Sequence, residues 1–142
     1  MAAALKEAVT DIDKKQSEIR EKREYLKNLI IKNIPDVKYN GHPELRLNNN
    51  VNFCFRFIEG ESLLLHLDFN GICASSGSAC TSGSLDPSHV LLAMGIPHEI
   101  AHGSLRLTLS SEITVEDIDY TVDRLKEIVH KLRLMSPLYE GE

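Results

Sequence analysis

Between Val51 and Phe57 a large apolar side chain occupies every second position: Val51, Phe53, Phe55 and Phe57 alternate with Asn52, Cys54 and Arg56. A period of two gathers all four on one face of a strand, and a helix would scatter them. That face must be covered, so other parts of the chain have to supply matching apolar surface. Two stretches do. Residues 3–33 predict one long helix, in which Leu5, Ile12, Ile19 and Leu26 recur every seven residues and Ala8, Val9, Leu29 and Ile30 widen the stripe. Charges of alternating sign from Glu18 to Glu24 read as its solvated side, and Pro35 ends it. Thr114 and Asp117 have the spacing of a capping box before a second stripe of Ile118, Val122, Leu125, Val129 and Leu132. His130, Lys131 and Arg133 suit the negative end of that helix.

The remaining elements are shorter. A β-like stretch over Asp36–Asn40 is followed by a turn at Gly41-His42-Pro43, and Ser62–Phe69 predicts a helix closed by Asn70-Gly71. Residues 71–74 predict a brief strand. Asp86 and Pro87 read as N-cap and first residue of a helix carrying Val90, Leu91 and Met94 and closed at Gly95; one more helical turn fits Pro97–His102. Ser104–Leu109 alternates again, with Leu105, Leu107 and Leu109 on the core face and Arg106 and Thr108 on the other. The expected architecture is a single α+β domain over residues 1–142: a small, mostly antiparallel sheet with helices on one face.

Between these elements lies Ser75-Ser76-Gly77-Ser78-Ala79-Cys80-Thr81-Ser82-Gly83-Ser84, which cannot fill a core and predicts a surface loop. A cysteine there is out of character, since free cysteine is among the most buried residue types, and its use is expected to be nucleophilic. The thiolate is the reactive form, yet neither Lys nor Arg stands near Cys80 in sequence. His89 and His102, the latter close to Arg106, are the candidate partners; otherwise activation comes from a cofactor or another domain. Cys73 and Cys80 are seven apart and Cys54 stands alone, so the spacing of a structural zinc site is missing and no metal is expected. The lysines fall on charged helices or, for Lys38, a polar edge, where a desolvated Schiff-base lysine is not expected.

Composition bounds the remaining options. The 142 residues suit one domain, and a hydrophobic share of 42% builds a core without reaching the ~20 apolar residues of a membrane span. A net charge of −5 argues against nonspecific nucleic-acid binding. No basic segment followed by an apolar one opens the chain, and three unpaired cysteines fit a reducing, cytoplasmic setting.

The Cys80 loop, the following Leu85-Asp86-Pro87-Ser88-His89-Val90-Leu91 and the run Ala101-His102-Gly103-Ser104-Leu105-Arg106 resemble the C-terminal small domain of the NifS/IscS-like cysteine desulfurases, in the class V aminotransferase family. The similarity extends through Asn49-Asn50-Val51-Asn52-Phe53, Glu59-Gly60-Glu61-Ser62-Leu63 and Ser136-Pro137-Leu138. The resemblance implies the small domain of a fold-type I enzyme of pyridoxal phosphate, whose cofactor lysine lies in a large domain preceding this region and not in this chain. It implies that Cys80 takes sulfur from L-cysteine as a persulfide, leaving alanine, and passes it to an iron-sulfur scaffold or other acceptor. Arg106 matches the arginine that holds the substrate carboxylate, and the complete enzyme would be a homodimer. After Arg106 the family commonly continues with an aromatic and a turn containing arginine, where this chain has Leu107-Thr108-Leu109-Ser110-Ser111-Glu112. Two other readings fit the same residues: a noncatalytic docking module for sulfur-transfer partners, and a thiol carrier acting alone.

Overall fold

The computed structural model describes residues 1–76 and 87–139. In chain order the elements are α1 (Ala2–Val9), α2 (Ile12–Asn33), β1 (Val37–Tyr39), β2 (Asn50–Phe55), α3 (Gly60–Asp68), α4 (His89–Ala93), α5 (His98–Ala101), β3 (Ser104–Thr108) and α6 (Val115–Leu134). The alternating run becomes the central strand β2, antiparallel to β1 on one side and to β3 on the other. Register sets Val51 opposite Leu107 and Phe53 opposite Leu105, so the apolar faces of both strands coincide. On that face lie Leu26 and Ile30 of α2, Leu63 and Leu67 of α3, and Ile118, Leu125 and Val129 of α6. This is the expected layer of helices on a small antiparallel sheet. α6 starts as predicted, with Asp117 N donating to Thr114 Oγ1 (3.1 Å) and Thr114 N donating to Asp117 Oδ2 (2.9 Å).

Helices are not confined to that one face as the sequence suggests: the opposite face carries a smaller cap, because the side chains of β2 that alternate with the core set also need cover. Cys54 points away from the main core and is fully buried there with Leu91, Ile96 and Ala101, contributed by α4, α5 and the turn between them. A period of two explains the placement, since Cys54 falls between Phe53 and Phe55.

Several boundaries differ from the sequence expectation. The long helix is broken at Thr10-Asp11, where Asp11 has φ 54°, and no residue of α1 is buried. Leu5, Val9 and Ile12 are exposed, so the stripe meets the described core only from Ile19 onward. Thr10 Oγ1 donates to Lys6 O (2.7 Å), a local bond of the kind that bends or ends helices. β2 stops at Phe55; Phe57 has φ 68° and its ring packs on Tyr139 at 5.6 Å. Residues 71–74 form no strand, because Gly71 (φ 73°) closes α3, Ile72 N returns to Leu67 O, and the chain reaches the sheet only at Ser75. α4 begins at His89 with buried Ser88 at its N-cap, two residues past the expected start; Asp86 lies outside the described residues.

Two arginines are interior, Arg23 from the stretch read as a solvated face and Arg133 from the end of the last helix. Arg23 is 1% exposed and donates to Leu47 O and Glu24. Arg133 is 3% exposed and donates to Pro35 O, Asp36 O and Arg56 O, fastening α6 to the start of β1 and the end of β2. A guanidinium with several donors can satisfy carbonyls that strand ends leave open, which makes its burial tolerable.

Gly103 allows the closest backbone approach. Phe55 N donates to Gly103 O at 2.8 Å, and a Cβ at Gly103 would sit 2.1 Å from Phe55 O. Gly103→Ala is therefore expected to part α5 from β2 and cost about 1–3 kcal/mol, the usual range for forced overpacking. A urea midpoint unchanged from the parent chain would contradict this approach.

Candidate functional site

The site grows from the edge of β3. Leu105 and Leu107 enter the core, so Arg106 between them must emerge on the other face, where it is half-buried. Across β2 its partner is Asn52, and at the free edge of β3 its partner is Ser75. The Ser75 bridge has both backbone bonds, Ser75 N to Arg106 O at 3.1 Å and Arg106 N to Ser75 O at 2.6 Å. The Arg106 guanidinium donates through one Nη to Ser75 Oγ at 3.3 Å. Among the described residues no carboxylate lies within ion-pair distance of it, which removes a cross-strand ion pair with them as its purpose.

The bridge also fixes where the serine-rich stretch departs. Ser104 Oγ donates to Ser76 O at 2.7 Å, so both Ser75 and Ser76 are tied to β3, one residue before the segment 77–86. Cys80 lies in that segment, outside the described residues. The chain is described again at Pro87 and enters α4 through buried Ser88. Sequence reading missed the tethers at Ser75 and Ser104; the only hint was Ser104 and Arg106 alternating on one face of β3.

Beside Arg106 the same sheet face is polar. Asn40, 3% exposed, donates through Nδ2 to Asn52 Oδ1 (2.7 Å) and to Cys54 Sγ (3.1 Å). Burial pushes the Cys54 thiol up, and the bond from Asn40 only partly offsets this. Cys54 is therefore an inert thiol. Cys73, placed in a strand by its sequence, is exposed. A limiting alkylating reagent should reach Cys73 in the folded chain and leave Cys54 unmodified until denaturant is added; peptide mapping that finds Cys54 labelled as fast as Cys73 would overturn the burial.

The two candidate histidines are not gathered around Arg106. His89 is exposed at the first position of α4. His102 caps α5, half-buried, with its ring 4.6 Å from that of His98, and among the described residues no hydrogen bond links it to Arg106. Every lysine is exposed or half-buried, and among the described residues no group of three or more His, Cys, Asp or Glu side chains could hold a metal.

The pattern of the Aminotransferase class-V family matches residues 1–121. The chain belongs to that family. Class-V aminotransferases of the cysteine desulfurase kind depend on pyridoxal phosphate, and two curated desulfurases are near relatives. The chain is 49% identical over 137 residues to the cysteine desulfurase IscS of Dictyoglomus turgidum, covering 96% of this chain and 35% of that protein. It is 62% identical over 109 residues to cysteine desulfurase IscS of Clostridium botulinum, covering 75% of this chain and 28% of that one. A solved NifS-like protein from Rickettsia africae superposes with a TM-score of 0.73 at 29% identity, over 85% of this chain and 31% of that one. This class-V chain thus spans about a third of the length of the relatives it matches. Its described residues do not fit pyridoxal phosphate by themselves, since no lysine among them is buried. No helix among them is long and apolar enough to cross a membrane.

Proposed function

We propose that this chain is the part of a cysteine desulfurase that supplies the sulfur-accepting thiol and the clamp for the substrate carboxylate. The observation that carries the reading is Arg106: a half-buried guanidinium on a sheet face, held in place by Ser75 and facing no carboxylate among the described residues. A planar two-pronged donor with no carboxylate beside it among the described residues suits a carboxylate ligand. The residues anchoring Arg106 also anchor the entry to the segment bearing Cys80, five positions beyond Ser75. Substrate carboxylate and accepting thiol would thereby be referred to one strand edge.

In this reading Arg106 binds and orients L-cysteine by its carboxylate. The Cys80 thiolate then forms a bond to the substrate sulfur as the substrate C–S bond breaks; that electron pair stays with carbon, which takes a proton to become the methyl of alanine. The sulfur remains on Cys80 as a persulfide for an acceptor such as an iron-sulfur scaffold. The cofactor and its lysine would come from the portion of the relatives' length beyond this chain, and the complete enzyme would act as a homodimer.

The 142-residue chain and a fusion joining it to the preceding two-thirds of a relative should be compared. The chain alone should show no stable visible absorbance after pyridoxal phosphate addition and desalting, and no alanine from L-cysteine. The fusion should show both. A cofactor band on the chain alone, removed by replacing one of its lysines, would defeat the division of labour; a cofactor-loaded fusion that makes no alanine would defeat the desulfurase reading.

A further inference from the structure

The turn α5 spells His98-Glu99-Ile100-Ala101-His102. His102 N donates to His98 O at 3.1 Å, the bond of a closed α-turn, and His102 keeps helical dihedrals. One turn of separation stacks the two side chains on one side, about 5–6 Å apart at Cβ. The rings already meet edge to face, centroids 4.6 Å apart and planes at 73°. His98 is exposed and His102 half-buried, so the pair opens to solvent.

We propose that His98 and His102 form a two-imidazole chelate for a divalent cation of the imidazole-seeking class, with Zn²⁺ as the probe. Imidazole suits late first-row metals, and a Zn–N bond of about 2.0–2.1 Å lets neighbouring rings on one helical face share an ion. The same lettering on a longer helix marks zinc peptidases, where the glutamate serves as base. That reading fails here, because α5 is a single turn and among the described residues no third ligand joins the pair. Glu99 follows His98 directly and lies on a different side of the turn. Water would complete the cation's coordination.

The consequence is mechanical. α5 buries Ala101 against Cys54, His102 O accepts from Gly60 N (2.9 Å), and the next residues lead into the strand that bears Arg106. A cation bridging the turn would bind only the folded chain and brace this corner.

Zn²⁺ should be titrated calorimetrically into the 142-residue chain after chelator treatment, with Tm read in parallel. One equivalent should bind and Tm should climb as free Zn²⁺ rises. His98→Asn, at an exposed position that leaves the fold intact, should weaken binding by roughly tenfold or more, and His102→Ala by a similar factor. Co²⁺ should bind without the intense near-ultraviolet band of a thiolate ligand. Unchanged affinity in His98→Asn, or a thiolate band with Co²⁺, would overturn the chelate and assign the metal to other histidines or to a cysteine.

Discussion

Cys80→Ser, made in the fusion that restores the cofactor-binding portion, should bind L-cysteine about as well as the parent and release no sulfur. A hydroxyl is a far poorer nucleophile toward sulfur than a thiolate, while the carboxylate clamp at Arg106 is untouched by the change. Alanine and reductant-released sulfide should both fall to background, and cysteine binding should persist in a spectroscopic titration. Cys73 is the informative control, because it is the exposed thiol among the described residues and stands only seven positions away. Cys73→Ser should leave turnover close to the parent value. If Cys80→Ser kept sulfur release and Cys73→Ser lost it, the nucleophile would be the wrong cysteine.

Arg106→Ala should produce the second large effect, on substrate recognition. A hydrogen bond to a charged group contributes about 1.5–3 kcal/mol, and each ~1.4 kcal/mol is tenfold in an equilibrium constant. The fusion should then lose roughly 10- to 150-fold in apparent affinity for L-cysteine, with kcat little changed if the contact is equal in ground and transition states. Lysine should restore only part, since it offers a point charge where two parallel donors are wanted. Backbone damage is a small risk, because the bonds to Ser75 N and O use the main chain of residue 106. Unchanged affinity for L-cysteine in Arg106→Ala would show that the guanidinium serves some other contact.

What the sequence made legible were the elements whose local pattern and tertiary burial agree. β2 and β3 were readable because Val51, Phe53, Leu105 and Leu107 all face one core, and α6 because Thr114 and Asp117 satisfy its first turn while Ile118, Leu125 and Val129 bury its stripe. Arg106 could be placed opposite the core face for the same reason. The failures lie where local pattern was not matched by a partner. Leu5 and Ile12 continue the heptad of Ile19 and Leu26, but nothing among the described residues covers them, so periodicity alone overextended the helix. Arg23 read as part of a solvated face and Arg133 as a charge suited to its helix's C-terminal end, because burial of a guanidinium depends on carbonyls 24 to 98 residues away that no local pattern announces. The Ser75 edge bridge was equally silent, one residue being too short to leave a period.

The clamp made by Arg133 also sets a clock. Its guanidinium holds the carbonyls of Pro35 and Asp36, which are 98 and 97 positions earlier in the chain. A nascent polypeptide growing at roughly 5–20 residues per second would carry those carbonyls without their partner for about 5–20 s. During that interval β1 can pair with β2 but cannot be fastened at its leading end. The apolar face of the sheet, covered earlier by Leu26 and Ile30 of α2 and Leu63 and Leu67 of α3, still lacks Ile118 to Val129. The last helix to be made is thus the one that closes both the leading end of β1 and the remaining part of the core.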